Sequence, residues 1–159
     1  MASGRRPEGY GTVTPYLVVD DALAAIAFYE RAFGAVERMR FQTGDGRIGH
    51  AEVQIGDSIV KLASEYKEIN ALSPSTLGST TVSFVVYVEN SDEVFERAVA
   101  AGAESVFPVS DQFYGDRSGR VRDPFGHEWV LATRVRDVTA GEIAKRMKEL
   151  FGGTASSDS

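Results

Sequence analysis

The sequence contains no cysteine among its 159 residues. This absence excludes disulfides, thiolate metal sites and cysteine nucleophiles, and it is typical of proteins from a reducing compartment. No apolar run approaches the roughly 20 residues of a membrane-spanning helix. The polar, basic residues 1–8 lack the apolar segment of a secretory signal. We therefore expect a cytoplasmic protein with no membrane partner.

Positive charge is also in short supply. The chain carries 17 basic and 23 acidic side chains, for a net charge of −6. A duplex nucleic-acid binder needs a basic footprint, so nucleic acid is not an expected partner. Hydrophobic residues make up 43% and charged residues 25% of the chain, which is typical of one globular domain. Glycine-rich phosphate loops and nucleophile elbows are missing as well.

An internal repeat organises the chain. Residues 12–19 have the apolar pattern of a strand, and a helical pattern follows that ends at Gly34. The same order returns in residues 80–88 and in the helical pattern that ends at Gly102. Each helix is followed by three strand-like segments, which are residues 36–42, 48–55 and 58–63, then 104–109, 118–122 and 128–133. The repeat predicts two βαβββ modules.

The module boundaries follow from these patterns. Module one is predicted at residues 9–64 and module two at 80–136, with residues 65–79 as the linker. A capping-box pattern at Thr139 predicts a C-terminal helix over residues 137–151, packed on the body or on a partner chain. We expect residues 1–8 and 152–159 to be disordered. The sequence thus predicts an α+β domain.

Strand parity gives each predicted strand an apolar side and a mixed side. In residues 48–55, His50, Glu52 and Gln54 share the side opposite the apolar residues. Tyr16 and Tyr87 lie on the mixed sides of the strands that open the two modules. These mixed sides either face solvent or line a concave cleft that binds small molecules.

Five runs resemble the glyoxalase/bleomycin-resistance superfamily, also called vicinal oxygen chelate (VOC) proteins, and its PhnB-like branch in particular. The runs are TVTPYLVVDD at 12–21, AIAFYERAFGA at 25–35, IGHAE at 48–52, DQFYGDRSG at 111–119 and DPFGHEW at 123–129. The resemblance implies paired βαβββ modules that form a curved mixed sheet around a concave cleft. It also implies homodimers, often with a cleft completed across the subunits. Family activities range from lyases and dioxygenases to proteins that sequester antibiotics, so membership alone leaves the chemistry open.

Metal-dependent members of this family bind a divalent ion through His and Glu side chains, two from each module. The resemblance places those four positions at Thr14, Lys61, Ser83 and Val130. Hydroxyls bind such an ion weakly, valine does not bind it, and lysine repels it. We therefore expect no metal and no other cofactor. A pair formed by His50 and Glu52 is the remaining alternative, and two ligands alone hold a metal weakly.

The expected ligand contacts combine aromatic, hydroxyl and cationic side chains along the cleft. They are Thr14, Tyr16, Gln54, Lys61, Ser83, Tyr87, Phe113, Tyr114, Arg117 and Val130. Residues 112–117 are interpreted either as a loop that closes over a ligand or as a turn held by local bonds. Lys61 either binds an anionic or carbonyl ligand or forms a salt bridge with Glu52. Trp129 is expected in the core, and His127 in a turn.

Two hypotheses follow for the function. In the first, the protein binds a small aromatic or planar molecule without metal, as antibiotic-sequestering relatives do. In the second, it is a lyase or isomerase that uses His50 or Glu52 as its base. A hydrogen-bonded residue of the sheet is the alternative role for His50.

Overall fold

The computed structural model describes residues 4–152, and the two ends predicted to be disordered lie partly outside this range. Module one consists of β1 (Tyr16–Val19), α1 (Ala22–Phe33), β2 (Val36–Gln42), β3 (Ile48–Ile55) and β4 (Ser58–Ser64). A 3₁₀ turn (Lys67–Ile69) and the short α2 (Pro74–Leu77) lie in the linker. Module two consists of β5 (Ser83–Tyr87), α3 (Ser91–Ala100), β6 (Glu104–Asp111), β7 (Asp116–Arg122) and β8 (Glu128–Arg134). The last helix is α4 (Ala140–Phe151).

The two crossover helices begin at side-chain caps. Asp21 accepts a hydrogen bond from the backbone N–H of Ala24 at the start of α1, and Asn90 accepts one from Glu93 at the start of α3. These bonds satisfy N–H groups that have no partner inside the helix. Gly34 ends α1 with a φ of 66°, a left-handed conformation that glycine adopts without strain.

Each module forms its own four-stranded mixed sheet, with the strand orders β1-β4-β3-β2 and β5-β8-β7-β6. The opening strand of each module runs parallel to the last strand and occupies one edge of the sheet. Tyr16 pairs with Lys61 in sheet one, and Val85 pairs with Val130 in sheet two. The registers of the two modules are therefore equivalent. The predicted α+β fold of paired βαβββ modules is confirmed.

One hydrophobic core joins the two modules on the helix side of the sheets. Phe33 of α1 packs against Trp129 of β8 with ring centroids 4.9 Å apart, and Phe84 of β5 lies 5.0 Å from the same indole. Trp129 is 1% exposed, in agreement with its predicted place in the core. The helices cover one face of each sheet, so the opposite faces carry the polar side chains.

Three predicted boundaries were wrong. The strand β1 was predicted at residues 12–19 but is shorter, because its pairing with β4 begins at Lys61. The strand β5 was predicted at residues 80–88 and is also shorter, because its pairing with β8 begins at Glu128. The predicted linker contains the short α2, which Ser73 caps. Asp116 and Arg117 belong to β7, so the predicted 112–117 loop is a four-residue turn over residues 112–115.

Candidate functional site

The side chains that point away from the helices define two polar faces. The module-one face consists of Tyr16, His50, Glu52, Gln54 and Lys61. The module-two face consists of Ser83, Val85, Tyr87, Arg120, Arg122, Glu128 and Val130. Both faces follow from the alternation of side chains along a strand. Leu62 and Trp129, which alternate with the residues of these faces, point to the other side and are buried in the core.

A chain of hydrogen bonds runs along the module-one face. The Tyr16 hydroxyl lies 2.9 Å from Nδ1 of His50, and Nε2 of His50 lies 3.0 Å from Oε1 of Glu52. Lys61 comes from the neighbouring strand and places its Nζ atom 3.9 Å from the same carboxylate oxygen. The structure therefore brings together four of the predicted site residues.

Glu52 is the buried carboxylate of this face, with 6% of its surface exposed. Burial raises its pKa, but hydrogen bonds from Tyr10 and His50 and the charge of Lys61 outweigh burial and hold the pKa below its ordinary value. Glu52 is consequently ionised at neutral pH. A carboxylate with a lowered pKa orients a neighbour better than it removes a proton.

Tyr10 was missed by the sequence reasoning. The segment before β1 crosses the module-one face, and the Tyr10 hydroxyl donates a hydrogen bond to Oε2 of Glu52. The Lys61 ammonium lies 5.2 Å from the centroid of the Tyr10 ring, within range of a cation–π interaction. Because 42 residues of chain separate the hydrogen-bonded pair, no local pattern indicates the contact.

Gln54 lies farther along the module-one face. Its side-chain oxygen accepts a hydrogen bond of 2.8 Å from Nε of Arg38, and its nitrogen donates to the backbone of Gly56. Thr14 lies just before β1 and donates to the carbonyl of Gly11 at 3.3 Å. The polar groups of both side chains are thus engaged within module one.

The module-two face carries a charged cluster that the sequence reasoning also missed. Arg120 and Arg122 form ion pairs with Glu128 at 3.2 and 3.0 Å. The Arg120 guanidinium lies 5.9 Å from the centroid of the Phe107 ring. Arg120 pairs in register with Val130, which the family resemblance selected, so strand parity applied to this neighbouring strand was the signal that could have indicated the arginine.

The remaining predicted contacts of module two occupy three different places. Tyr87 lies on the face and donates a 3.0 Å hydrogen bond to Asp116. Phe113 and Tyr114 lie in the turn between β6 and β7, with ring centroids 5.3 Å apart. Phe113 lines a groove against α4 rather than the module-two face.

Arg117 points toward the helix side of β7. Its guanidinium binds Asp92 at the start of α3 through bonds of 2.6 and 2.8 Å, and Asp111 at 3.1 Å. Its neighbours in β7, Ser118 and Arg120, point to the opposite side because the side chains of a strand alternate. The structure does not bring Arg117 to the module-two face.

The four positions implied for metal ligands are equivalent in the two modules. Thr14 lies two residues before Tyr16, which pairs with Lys61. In the same way, Ser83 lies two residues before Val85, which pairs with Val130. Two hydroxyls, an ammonium and an isopropyl group do not form the donor set of a divalent ion. Within residues 4–152, no three His, Asp or Glu side chains converge as a metal-binding group. The residues present therefore do not fit the family's metal.

A separate groove of about 960 Å³ lies at the junction of the modules. Its lining is mainly apolar and comes from the segment before β1, the β3–β4 turn and β5; it includes Val13, Pro15, Ile59, Phe84 and Trp129. The polar side chains at this groove are Asp57, Ser58, Tyr87, Glu89 and Arg97. The hydrogen-bonded chain of Tyr16, His50 and Glu52 lies outside this lining, on the module-one face. We therefore place the candidate site on that face.

Comparison with known proteins identifies the class to which this fold and these faces belong. The family model of the Glyoxalase/Bleomycin resistance protein/Dioxygenase superfamily matches residues 10–131, and the chain belongs to this superfamily. The match begins before β1 and ends within β8.

The chain is also similar to individual proteins and solved structures. An uncharacterized protein of Mycobacterium tuberculosis, Rv0887c, is 42% identical over 144 residues, which cover 89% of this chain and 85% of the relative. The crystal structure of TioX from Micromonospora sp. ML1 shares 31% identity at a TM-score of 0.62, covering 78% of this chain and 98% of TioX. The fosfomycin resistance protein FosX from Mesorhizobium loti shares the fold, with 18% identity, a TM-score of 0.60, and coverage of 86% of this chain and 98% of FosX.

Proposed function

We propose that the protein binds a small aromatic or planar molecule on its module-one face without the help of a metal. The observation that carries this proposal is the position of Lys61. Its ammonium lies 3.9 Å from Glu52, at a position where metal-dependent members of the family carry a metal ligand. A fixed positive charge of the protein's own thus accompanies the carboxylate.

The aromatic and cationic groups on the faces support the binding of such a molecule. Tyr16 is 52% exposed, although it lies on a strand whose alternate residues pack toward the core. Exposed tyrosine rings supply flat apolar surface together with a polar hydroxyl. Lys61 adds a donor for a carbonyl or carboxylate oxygen. The face combines apolar area with a few polar groups, as binding sites do.

The first experiment determines whether the protein carries a metal. The full chain is purified without chelators and analysed by plasma mass spectrometry. We expect less than one divalent ion for every ten chains. A tightly bound ion in equal amount to the protein would overturn the metal-free assignment.

The second experiment compares Lys61 with a cation that lies away from the module-one face. A panel of aromatic acids and amides is screened by thermal shift, and the hits are measured by calorimetry. Lys61→Met is expected to weaken binding about tenfold or more, as the loss of one charge-assisted hydrogen bond does. Arg117→Ala is the control, because its guanidinium faces α3, and it is expected to leave affinity unchanged. Equal effects of Lys61→Met and Arg117→Ala would contradict the proposed location.

A lyase or isomerase activity is the second candidate function. The observation in its favour is the chain from Glu52 through His50 to Tyr16, because a histidine oriented by a carboxylate is the usual arrangement of a general base. In this version His50 is the base and Glu52 orients it, since the lowered pKa of Glu52 makes it a weak base. Consumption of a bound compound, detected by mass spectrometry and lost in His50→Ala, would favour the enzyme over the binding protein.

We further propose that the protein forms a homodimer. Large apolar side chains are exposed along the sheets, including Met39 (48%), Phe41 (61%) and Phe107 (61%). Met39 and Phe41 pair in register with Glu52 and His50 and so lie side by side on one face of β2, and adjacent exposed apolar side chains mark interaction sites. Sedimentation equilibrium of the full chain is expected to give twice the mass of one chain, and Phe41→Ser is expected to shift the equilibrium toward monomer. A monomer at all concentrations would contradict the proposal.

We propose a cytoplasmic setting and a place in the PhnB-like branch. Both proposals rest on the sequence, that is, on the lack of cysteine and on the five runs described above. Among residues 4–152, no helix has the length and apolar character needed to cross a membrane. Localisation of a fluorescent fusion tests the first proposal.

A further inference from the structure

The hydrogen bonds of the module-one face have a fixed direction, which starts at Glu52. An ionised carboxylate accepts hydrogen bonds and cannot donate them. Oε2 of Glu52 therefore accepts from the Tyr10 hydroxyl, and Oε1 accepts from Nε2 of His50 at 3.0 Å. It follows that Nε2 of His50 carries a proton.

The other ring nitrogen of His50, Nδ1, determines whether Tyr16 donates or accepts the hydrogen bond between them. In a neutral imidazole with its proton on Nε2, Nδ1 is an acceptor. The Tyr16 hydroxyl lies 2.9 Å from Nδ1 and therefore donates a hydrogen bond to it. Burial and the nearby charge of Glu52 raise the pKa of Tyr16, so its hydroxyl keeps the proton. Its oxygen retains lone pairs for a group that approaches from the open face.

We propose that Tyr16 is a specificity-determining residue that accepts a hydrogen bond from the ligand. The site then selects aromatic compounds that carry a hydroxyl or N–H donor, with a carbonyl or carboxylate oxygen for Lys61. Tyr16 and Lys61 are direct partners in the parallel register of β1 and β4, so both reach the same ligand. This inference rests on the proposed binding function and names the chemical class of its ligand.

Tyr10 is the positioning residue in this arrangement. It does not touch His50, but it occupies the second oxygen of Glu52 and so directs the first toward the imidazole. The other groups near His50 are Lys61 from β4 and Phe41, its register partner on β2. Neither an ammonium group nor a phenyl ring offers a hydrogen-bond acceptor to the imidazole. Glu52, held by Tyr10, is thus the group that fixes the tautomer.

The direction of the bonds can be read without any ligand. Nitrogen-15 NMR of the full chain at about pH 8, where an ordinary histidine is neutral, gives the tautomer of each of the two histidines, and His50→Gln assigns the signals. We expect His50 with Nε2 protonated and Nδ1 as an acceptor. A proton on Nδ1 would overturn the inference. Tyr10→Phe is expected to yield a mixture of tautomers, and an unchanged tautomer would remove Tyr10 from the argument.

The ligand class is tested with two matched compounds, 4-hydroxybenzoate and 4-methoxybenzoate, by calorimetry. The hydroxyl compound is expected to bind about tenfold more tightly, as one hydrogen bond predicts, and Tyr16→Phe is expected to abolish this difference. Equal affinities in the wild type would overturn the inference while the binding function stands. Failure of both compounds to bind, with His50 in the expected tautomer, would count against the proposed function and leave the direction of the hydrogen bonds established.

Discussion

A single carboxyl group holds the junction of the two modules, and its removal gives the most quantitative prediction. Asp123 is 3% exposed. Its Oδ2 accepts from the Tyr29 hydroxyl at 2.7 Å and from Nε1 of Trp129 at 2.9 Å. Its Oδ1 accepts from the backbone N–H groups of Phe125 and His127, each at 2.9 Å. The Asp123→Ala variant leaves all four donors without this partner.

The magnitude follows from the two side-chain donors. Tyr29 is 0% and Trp129 1% exposed, so water does not replace the lost acceptor. A buried donor without a partner costs about 1–3 kcal/mol, which gives about 4 kcal/mol for the pair. Tyr29→Phe removes one hydrogen bond but leaves no donor unpaired, so we expect about 1.5 kcal/mol. We expect the cost of Asp123→Asn to fall between those of Asp123→Ala and Tyr29→Phe, because its amide nitrogen would face the indole N–H, from which it cannot accept a hydrogen bond.

Urea unfolding measures these values directly. Trp129 is the only tryptophan, and it lies in the affected cluster, so its fluorescence reports the transition. Asp137→Ala is the control, since that side chain is fully exposed. A loss below about 1 kcal/mol for Asp123→Ala with an unchanged m-value would show that the four hydrogen bonds do not carry the junction, and our reasoning would then be wrong.

Three further predictions concern packing, acid stability and the last helix. Gly119→Ala is expected to cost about 1–3 kcal/mol in urea unfolding, because a Cβ there would lie 2.9 Å from the Val109 backbone nitrogen, whereas Gly44→Ala has no atom within 4 Å and should cost less. Glu52 has a lowered pKa in the folded protein, so its ionised form stabilises the fold above its ordinary pKa, and this effect is lost as the pH falls through the pKa of the folded state. The Glu52→Gln variant should therefore be less stable at neutral pH, and its stability should depend less on acid. An acid profile identical to that of the wild type would contradict this. Thr139→Ala removes the capping box of α4 and should reduce far-ultraviolet helicity at a cost of about 1 kcal/mol, while an unchanged spectrum and melting curve would refute the role of the cap.

The repeat and the strand parity were sufficient to predict the module architecture. The helices begin and end where local capping residues stand, as Asp21 and Gly34 show for α1. Local chemistry of this kind is written in neighbouring residues, so a sequence displays it. The ends of β1 and β5 are different, because they lie where pairing with the parallel partner strand begins and ends. That information lies about 45 residues away in each module.

The sequence predicts those parts of the site that depend on the alternation of side chains along a strand. Alternation along β3 grouped His50 with Glu52, and both contribute to the hydrogen-bonded chain. The same rule, applied to β7 with the correct strand start, would have exchanged Arg117 for Arg120. The mistake came from interpreting residues 112–117 as one loop. An error of two residues in a strand boundary hides which side chains alternate.

Tyr10 marks the limit of what local patterns predict. It lies before β1, in a segment with neither a helical nor a strand period, and its contact with Glu52 exists only because the chain folds back over the module-one face. Yet this contact completes the set of bonds that keep Glu52 ionised and His50 oriented. The hydrogen-bonding preference of Tyr16 therefore depends on a residue outside the strands and helices. A search for function that considers only the regular elements would find the groups of this site but not the direction of their hydrogen bonds.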